Sequence, residues 1–519
     1  MARPAEEVRQ TGQRATDWVD YNARRYPNEP ALESADTPAA QTWAQTEYRV
    51  ARLAGVLAER LGVRRGDRVA VLADNDPRVL EVQFACWRLG AVFVPLNWRL
   101  ALPELEAMLA DAEPAVLVHD AKWAETASAL AGAVPALACW ATPDGPLDLD
   151  AAAERAQPRP PSLDNLLDQP AQLLYTSGTT GRPKAAITTF STLIWNALNI
   201  AGPARVTGAG DRHLAALPLF HAGGLNGVTN PVLLSGGCAR VASRFDPGQV
   251  LGLLGDPRSG VTHFSGAPVM YLMMSGLPGF DGADFTGMRY GQLGGGYLEG
   301  ELAARYAERG VHLLPSYGAT EMGPSATTMT VAAAPHKIGS CGFPVQHTQL
   351  RVVDEGGNDV APGEVGEAWV RGPSILPGYW RRDPATDPAF HRGWFRSGDA
   401  MRIDPDGFCY LTGRFKDMYK SGGENVFAAE VEDVLVGHPD IAEIGIIGVA
   451  DPKWGEVGRA VVVVRGGAPV TVDSITAFAA DKLAAFKLPR SVVTVAALDR
   501  NSSGKVVKGT LKQKYGDVS

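Results

Sequence analysis

A short apolar strand in this chain leads directly into a loop built from glycine and hydroxyl residues. The strand is predicted at residues 173–175, and the loop at 176–181 reads Thr-Ser-Gly-Thr-Thr-Gly before Arg182, Pro183 and Lys184. Glycines let backbone N–H groups converge on an anion, and hydroxyls add further donors. The pattern predicts a phosphate-binding loop, whereas a flexible surface loop is the simpler alternative. The spacing to Lys184 differs from GxxxxGK[ST], which disfavours an ordinary P-loop nucleoside triphosphatase.

Apolar runs alternate with helical patterns along the first half of the chain. Residues 69–72 and 115–118 are apolar runs, and residues 77–89 have a helical pattern. Such alternation is typical of βα units with buried strands, so an α/β fold is expected. In open α/β sheets, ligands bind outside the carboxyl ends of the strands. The phosphate loop, which comes directly after a strand, is therefore predicted to lie at the ligand-binding edge.

Composition excludes several classes of partner. The 519 residues, 45% of them hydrophobic, are too many for one ordinary core, so two or more domains are expected. A net charge of −8 does not indicate the basic surface that nucleic acids or anionic membranes usually require. The five cysteines are widely spaced without a CxxC pair, which supports neither a disulfide framework nor a zinc site. No secretory signal or 18-residue apolar run is found, so a cytoplasmic location is expected.

A change of pattern near residue 413 predicts a domain boundary. Residues 404–407 read as a turn and 408–411 as a short strand, before a charged junction at 413–417. Further on, the patterns predict a small α+β domain. Its expected helices are 428–435 and 472–485, and its expected strands are 444–449, 460–464 and 491–495. We therefore predict an N-terminal domain at 1–412, a hinge at 413–417 and a C-terminal domain at 418–519.

Several polar residues stand where they would meet a nucleotide. Thr320 and Glu321 come after an apolar run, and a carboxylate there can hold Mg²⁺ on phosphate oxygens, although such a Glu is often a solvated turn residue. Asp399 is suited to accept hydrogen bonds from a ribose diol, but an aspartate at a turn is usually structural. Arg414 could likewise be a plain salt-bridge partner. His221 is expected either to line a pocket or to be a hydrogen-bonded core residue, and the sequence favours neither alternative.

Two glycine-rich steps in the last fifth of the chain complete the pattern. Lys505 comes directly after Gly504, and residues 420–423 read Lys-Ser-Gly-Gly. The glycines at 422 and 423 would let a ligand approach the backbone closely, whereas a simple helix lead-in is the alternative. A lysine in a separate tail, far downstream of an anion loop, suggests that the cation reaches the phosphates by domain movement.

Taken in order, these stretches resemble the superfamily of adenylate-forming enzymes over nearly the whole chain. Within it, residues 416–426 and 451–456 look most like AMP-forming acyl-CoA synthetases that act on fatty or aryl acids. The resemblance implies a large, multi-lobed N-terminal domain of stacked sheets and helices and a small mobile C-terminal domain. It also implies ATP, Mg²⁺ and coenzyme A. The substrate carboxylate would attack the α-phosphorus of ATP and release pyrophosphate, after which the CoA thiol would displace AMP from acyl-AMP.

The resemblance also implies a role for each matching residue. Catalysis is assigned to Lys505, Thr320 and Glu321, with Glu321 and Thr176 at the metal and Lys416 at the hinge. The nucleotide contacts would be Thr176, Ser177, Gly178, Thr179, Thr180, Gly181, Lys184, Gly295, Gly296, Ser316, Tyr317, Gly318, Thr320, Asp399 and Arg414. The acyl pocket would be lined by Phe220, His221, Gly223, Gly296 and Ala319, and the thioester step would use Lys420, Gly422 and Gly423.

The expected acid is apolar, either a medium- or long-chain fatty acid or an aryl acid such as a cinnamate. No arginine occurs in the predicted pocket segments 220–224, 294–297 and 316–319, which argues against a dicarboxylate. Glycine at 296 and 223 would enlarge the pocket if both line it, whereas Tyr297 would reduce it. One alternative is a stand-alone enzyme that loads a carrier-protein thiol, and another is a non-catalytic nucleotide-binding protein. The oligomeric state stays open, with a homodimer as one option.

Overall fold

The computed structural model describes residues 13–140, 147–161, 164–176, 184–382, 387–466, 469–500 and 505–517. The chain divides into two compact units. The first unit comprises residues 1–349 and 370–395, and the second comprises 350–369 and 396–519. The α/β fold class predicted from the sequence is confirmed. Among the described residues, no helix combines the length and apolar character needed to span a membrane.

The first unit contains a seven-stranded sheet whose strands run parallel except for the last. In spatial order these strands are Leu147–Asp148, Leu137–Cys139, Val116–His119, Arg68–Leu72, Val92–Pro95, Pro170–Thr176 and Lys184–Thr189. The central strands are buried along almost their whole length, as the continuous apolar runs predicted.

A second sheet of the same unit has nine strands. In spatial order they are Phe343–Pro344, Thr327–Thr328, Leu313–Tyr317, Tyr290–Gly294, His263–Gly266, Arg212–Ala215, Cys238–Val241, Pro30–Ser34 and Ala40–Thr42. Six of the strands, from Leu313–Tyr317 to Pro30–Ser34, pair in parallel. Their carboxyl ends therefore meet at one edge of the sheet.

Helices cover these sheets, and local sequence sets where they begin and end. The α-helices are Trp18–Arg25, Trp43–Glu59, Pro77–Leu89, Leu102–Ala112, Ala124–Ala129, Leu149–Arg155, Phe190–Ala204, Ala222–Gly224, Asn230–Leu234, Pro247–Leu254, Pro268–Ser275 and Gly300–Ala307. The helix predicted at 77–89 has the same bounds in the structure, because Asp76 caps its first turn, Pro77 opens it, and Gly90 ends it with a φ of 69°.

A π-helical segment interrupts one of these helices. Residues Leu225–Thr229 lie between the α-helices Ala222–Gly224 and Asn230–Leu234. The backbone N–H of Asn230 donates to the carbonyl of Leu225, five residues earlier. Such segments are rare and occur frequently at functional sites.

A buried arginine ties three helices of the first unit together. The guanidinium of Arg88, whose side chain is fully buried, donates to Asp17 Oδ2 at 2.8 Å and to Glu47 Oε1 at 2.8 Å. Removing one member of such a buried group leaves an uncompensated charge, which costs about 3–5 kcal/mol. This cluster therefore fixes the positions of the helices that carry its members.

Two further sheets include strands of the second unit. One sheet includes Gln349–Val353, Gly366–Arg371, Trp394–Ile403 and Cys409–Arg414, and the short strand Phe390–His391 pairs with its residues Trp394 and Phe395. The other has the order Glu424–Phe427, Met418–Ser421, Gly455–Val464 and Ile441–Asp451, with Ser491–Thr494 paired in parallel to Gly455–Val464. Its α-helices are Ala428–Leu435, Val472–Ala479 and Lys508–Tyr515.

One helix of the second unit is shorter than predicted. The sequence favoured a helix at 472–485, but the structure ends it at Ala479. The chain then turns, and Leu483 and Leu488 both enter the hydrophobic core of this unit. Burial of these two leucines outweighs the helix propensity of the intervening residues.

Candidate active site

Two paired strands frame the predicted phosphate loop. Thr176 and Lys184 are opposite each other in the antiparallel pair that Pro170–Thr176 and Lys184–Thr189 form. The loop residues predicted to bind phosphate between them, Ser177, Gly178, Thr179, Thr180 and Gly181, lie outside the described residues. Thr176 and Lys184 therefore fix the two points where the loop leaves and rejoins the sheet.

Glu321 lies in a short turn after the strand Leu313–Tyr317, where the sequence predicted it. The turn is a 3-10 segment at Thr320–Met322. One oxygen of the carboxylate, Oε1, accepts a hydrogen bond from the Tyr379 hydroxyl at 2.8 Å and one from Thr176 Oγ1 at 3.5 Å. The structure thus brings Glu321 to the start of the phosphate loop.

Tyr379 is a residue of this site that sequence reasoning missed. Burial raises the pKa of its phenol, and the negative charge of Glu321 raises it further, so the hydroxyl stays a donor. The ammonium of Lys184 lies 5.0 Å from the centroid of the Tyr379 ring and 3.9 Å from Asp387 Oδ2. No local motif surrounds Tyr379, and only the fold reveals its contact with a carboxylate 58 residues away.

The oxygen atoms near Glu321 fit a magnesium ion that is shared with a polyphosphate. Mg²⁺ is bound in proteins through one or two carboxylates together with substrate phosphates and water. Glu321 supplies a carboxylate and Thr176 a hydroxyl oxygen at one place. Among the described residues, no group of three or more His, Cys, Asp or Glu side chains forms an all-protein metal cage. The donor set therefore suits a metal that arrives with phosphate.

Glycines at two neighbouring strand ends have different surroundings. Gly294 and Ser316 are register partners on adjacent parallel strands. At Gly318, an added Cβ would lie 1.9 Å from the carbonyl oxygen of Pro324, so this position requires glycine for close backbone approach. An added Cβ at Gly296 would lie 2.9 Å from Pro268 Cγ. The space beside Gly296 is therefore already occupied by the ring of Pro268.

The sequence predicted that Gly296 and Gly223 would enlarge the acyl pocket and that Tyr297 would reduce it, and these contacts alter that expectation. The missing side chain at Gly296 does not enlarge a cavity, because Pro268 fills the space. Tyr297 does not take space from a buried pocket either, since 42% of its surface is exposed. At Gly223, by contrast, the only described atom within 4 Å of an added Cβ is His221 Nδ1, at 3.7 Å. The described residues therefore leave open space beside Gly223.

His221 is exposed and is not a core histidine. It precedes the helix Ala222–Gly224, and its Nδ1 accepts the backbone N–H of Gly223 at 3.4 Å. The neighbouring Phe220 is buried and meets Trp98 edge to face, with ring centroids 6.1 Å apart. The two residues occupy opposite environments at the start of one helix.

Aromatic rings and cations from distant segments surround Phe220. Arg99 lies 5.8 Å from the centroid of the Phe220 ring, and Arg244 lies 5.4 Å from that of Trp98. Loss of water contact lowers the pKa of Arg99, and the charge of Arg244 lowers it further. The predicted pocket segments contain no arginine, but the fold brings Arg99 to Phe220 from outside them. Their composition alone is therefore a poor argument against a dicarboxylate.

The second unit brings together three of its predicted site residues. Asp399 and Arg414 face each other across the antiparallel strands Trp394–Ile403 and Cys409–Arg414, and Arg414 Nε lies 2.8 Å from Asp399 Oδ1. Asp399 is buried, whereas the Arg414 side chain is 48% exposed. Partial loss of water contact lowers the pKa of Lys505, the charge of Arg414 lowers it further, and Asp399 acts in the opposite direction. Lys505 therefore lies within electrostatic reach of this pair.

The predicted hinge and thioester residues lie in turns of the same unit. Lys416 is in the 3-10 turn Phe415–Asp417. The backbone N–H of Lys420 donates to Glu456 Oε2 at 3.0 Å. Gly422 and Gly423 form the turn after the strand Met418–Ser421, with φ values of 62° and 91° that favour glycine. The hinge role of Lys416 and the domain limits at 412 and 418 stay predictions.

Comparison with known proteins identifies the class. The family model for AMP-binding enzymes matches residues 19–380, and the model for the AMP-binding enzyme C-terminal domain matches residues 430–505. This chain belongs to the AMP-binding enzyme family. The resemblance to adenylate-forming enzymes is therefore confirmed.

Individual relatives match over almost their whole length. A feruloyl-CoA synthase from Amycolatopsis sp is 42% identical, covering 96% of this chain and 98% of the relative. An indoleacetate–CoA ligase from Aromatoleum aromaticum is 37% identical, with 96% and 97% covered. A solved o-succinylbenzoate coenzyme A synthetase from Bacillus subtilis, in complex with ATP and magnesium, is 30% identical with a TM-score of 0.85, covering 96% of this chain and all of that chain. These relatives confirm the predicted class of acid–thiol ligase.

Proposed function

We propose that this protein is an ATP-dependent, AMP-forming ligase that joins an aryl carboxylic acid to coenzyme A. The observation that carries the proposal is the 42% identity to a feruloyl-CoA synthase over 96% of the chain. The aromatic surroundings of Phe220 favour a ring-bearing acid over a plain fatty chain, because aromatic side chains pack edge to face against other rings.

The reaction has two balanced steps. A carboxylate oxygen of the acid attacks the α-phosphorus of ATP, the bond to pyrophosphate breaks, and acyl-AMP forms. The CoA sulfur then attacks the acyl carbon, AMP leaves with the electrons of the broken bond, and the thiol proton passes to solvent. One nucleotide-binding region serves both steps.

The residues of the first unit would hold the polyphosphate. Thr176 and Lys184 stand where the loop meets the sheet, and Glu321 supplies the carboxylate for Mg²⁺. When bound, the metal offsets the negative charge of the phosphates that the acid carboxylate must approach. Tyr379 keeps Glu321 oriented by donating to its Oε1 atom. Thr320, one residue earlier, would contact the α-phosphate.

The residues of the second unit would act on ribose and on developing charge. Asp399 would accept hydrogen bonds from the ribose hydroxyls, and Arg414, which is paired with it, would keep the carboxylate in place. Lys505 would donate to the oxygens that carry charge between the carboxylate and the α-phosphorus. Gly422 and Gly423 would let the pantetheine arm of CoA approach the backbone. Lys416 would absorb the change in φ and ψ as the C-terminal domain at 418–519 turns.

The proposal is tested by supplying purified protein with ATP, Mg²⁺, CoA and one acid at a time. Ferulate, cinnamate, indoleacetate, octanoate and succinate would be compared by release of AMP and consumption of the CoA thiol. We expect an aryl acid to have the highest kcat/KM. Absence of acid-dependent AMP release would refute the ligase, and a clear preference for succinate or octanoate would refute the aryl assignment.

The acceptor is tested in the same assay. Pyrophosphate exchange without any CoA thioester would favour the alternative enzyme that loads a carrier-protein thiol. We place the reaction in the cytoplasm, where ATP and CoA are both available. A homodimer stays one option for the assembly, and sedimentation of the purified protein would test it.

A further inference from the structure

One face of the nine-stranded sheet carries a row of polar side chains. Ser265 and Gln292 are register partners on the parallel strands His263–Gly266 and Tyr290–Gly294, so their side chains point to the same side. His213, whose register partner is His263, belongs to the same face. A polar row on a buried sheet face requires hydrogen-bond partners.

Most of this row is paired within the protein. His213 makes hydrogen bonds through Nδ1 to Thr229 Oγ1 at 3.1 Å and through Nε2 to Ser265 Oγ at 3.2 Å. The Thr229 hydroxyl also donates to the carbonyl of Gly224 at 2.7 Å. These bonds attach the end of the π-helical segment Leu225–Thr229 to the sheet.

Gln292 differs from its neighbours in the row. Only 6% of its surface is exposed, and its side-chain amide makes no hydrogen bond to any residue in the described part of the chain. Neither amide atom is among the fully buried side-chain atoms that lack a partner, so the amide reaches solvent-accessible space, where water or a ligand can bond to its donor and acceptor. The side chain therefore has hydrogen-bonding capacity that no described residue uses.

The π-helical segment leaves open space in front of this amide. Gly227 is buried, yet the only described atom within 4 Å of an added Cβ would be Gln292 Oε1, at 3.8 Å. Gly223, one helical turn earlier, also has open space on its Cβ side. Gly294, two residues after Gln292, has only the carbonyl oxygen of Ser316 near an added Cβ, at 4.0 Å. We infer that the open sides of Gly223, Gly227 and Gly294 join beside Gln292 in one space, which we call the glycine–glutamine cavity.

Other glycines nearby show that open space is not the rule. An added Cβ at Gly224 would lie 2.2 Å from the carbonyl oxygen of Pro218, and one at Gly296 would meet Pro268. Those glycines allow the backbone to pack closely. At Gly223 and Gly227, by contrast, the described part of the chain leaves open space.

We propose that the glycine–glutamine cavity receives the distal part of the acid and that the Gln292 amide hydrogen-bonds a neutral polar substituent on its ring, such as a phenolic hydroxyl. The inference rests on the proposed ligase function and names the substrate class more narrowly. Gln292 is then a specificity-determining residue, which offers both a donor and an acceptor to a hydroxyl in an otherwise glycine-lined cavity.

The test compares cinnamate with its 2-, 3- and 4-hydroxy derivatives in the wild type and in Gln292→Met, a replacement of similar length without the amide. We expect the wild type to use at least one hydroxycinnamate about tenfold better than cinnamate in kcat/KM, and Gln292→Met to lose that preference. The KM for ATP should stay the same. Gln292→Asn, which keeps the amide on a shorter stem, should retain part of the preference.

A wild type without a preference for any hydroxycinnamate would overturn the inference, and so would an equal loss for all four acids in Gln292→Met. If that variant fails to fold, as judged by circular dichroism, Gly227→Ala provides the test. Among the described atoms, its added methyl meets Gln292 Oε1 at an ordinary contact distance, so it should reduce use of the preferred hydroxycinnamate more than that of cinnamate. Equal effects on both acids would again contradict the inference. If no acid releases AMP, the ligase proposal itself fails.

Discussion

Gln292 in the first unit and Lys505 in the second unit are both polar side chains with a proposed role at the substrate, but their surroundings differ. Gln292 is buried on a sheet face, beside glycines that leave open space. Lys505 is exposed and lies within electrostatic reach of Arg414 and Asp399. A buried neutral amide discriminates between ligands by shape and hydrogen bonding, whereas a placed cation acts on any developing negative charge. The comparison predicts that the first region selects the acid and the second drives a step common to all acids.

The largest effect is expected for Lys505→Ala. Loss of the ammonium should lower the rate of acyl-AMP formation by about 10²–10³ for every acid, because the charge that it stabilises is the same in each. Thioester formation from supplied acyl-AMP should change little. Pyrophosphate release and single-turnover thioester assays would measure the two steps separately.

Lys482→Ala is the matched control, since Lys482 is an exposed lysine of the same unit that lies over the ring of Phe478. It should leave both steps unchanged. If Lys505→Ala instead changed the ranking of acids, the division of labour between the two regions would be wrong.

A smaller effect is expected in the turn at Gly422 and Gly423. Both glycines have positive φ, so alanine strains the backbone at either position. Only at Gly422 would the added Cβ meet a described side chain, at 2.9 Å from Trp454 Cε3. Gly422→Ala should therefore disturb the turn more than Gly423→Ala and slow the CoA step by about tenfold, through misplacement of the thiol.

Acyl-AMP formation should be nearly equal in the two glycine variants. CoA-dependent turnover and pyrophosphate exchange, measured side by side, would show this. A loss of pyrophosphate exchange in Gly422→Ala as large as its loss of CoA-dependent turnover would argue that the turn serves the whole unit and not the second step.

The smallest effect concerns acid stability of the first region. Burial lowers the pKa of His213 to about 3, so the imidazole stays neutral in the folded state. In the unfolded state, where its pKa has the ordinary value of 6.5, it binds a proton once the pH falls below 6.5. Stability should therefore fall as the pH drops below 6.5, and the loss should continue down to about 3. At pH 5 this group should have lowered the free energy of unfolding by about 2 kcal/mol relative to neutral pH.

The variant His213→Gln isolates this contribution. It should lose less stability than the wild type between pH 7 and pH 5, as measured by thermal unfolding at both values. Burial also lowers the pKa of His263, so part of the acid sensitivity should persist. An identical pH response in both proteins would show that His213 does not titrate between the folded and unfolded states.

The sequence predicted those features that local pattern determines. The helix 77–89 is bounded by its own capping residues, and Glu321 comes directly after a buried strand, so both were found from adjacent residues. The helix expected at 472–485 was too long because the burial of Leu483 and Leu488 depends on the rest of the core.

The missed residues have roles that only tertiary contacts define. Tyr379 becomes a partner of Glu321 because the fold closes a separation of 58 residues. Gln292 has no motif, and its importance lies in the absence of an internal partner among the described residues. Gly223 and Gly296 look alike in sequence, yet one faces open space and the other faces Pro268. Such differences arise from packing and leave no periodic signal.

The π-helical segment Leu225–Thr229 has an evolutionary consequence. Deleting one of its residues would restore regular α-helical spacing and rotate the preceding turn by about 100° relative to the helix Asn230–Leu234. A different residue would then replace Gly227 opposite Gln292. A one-residue insertion or deletion in this helix could therefore redirect a related enzyme toward another ligand, while the sheets and the catalytic groups are inherited intact.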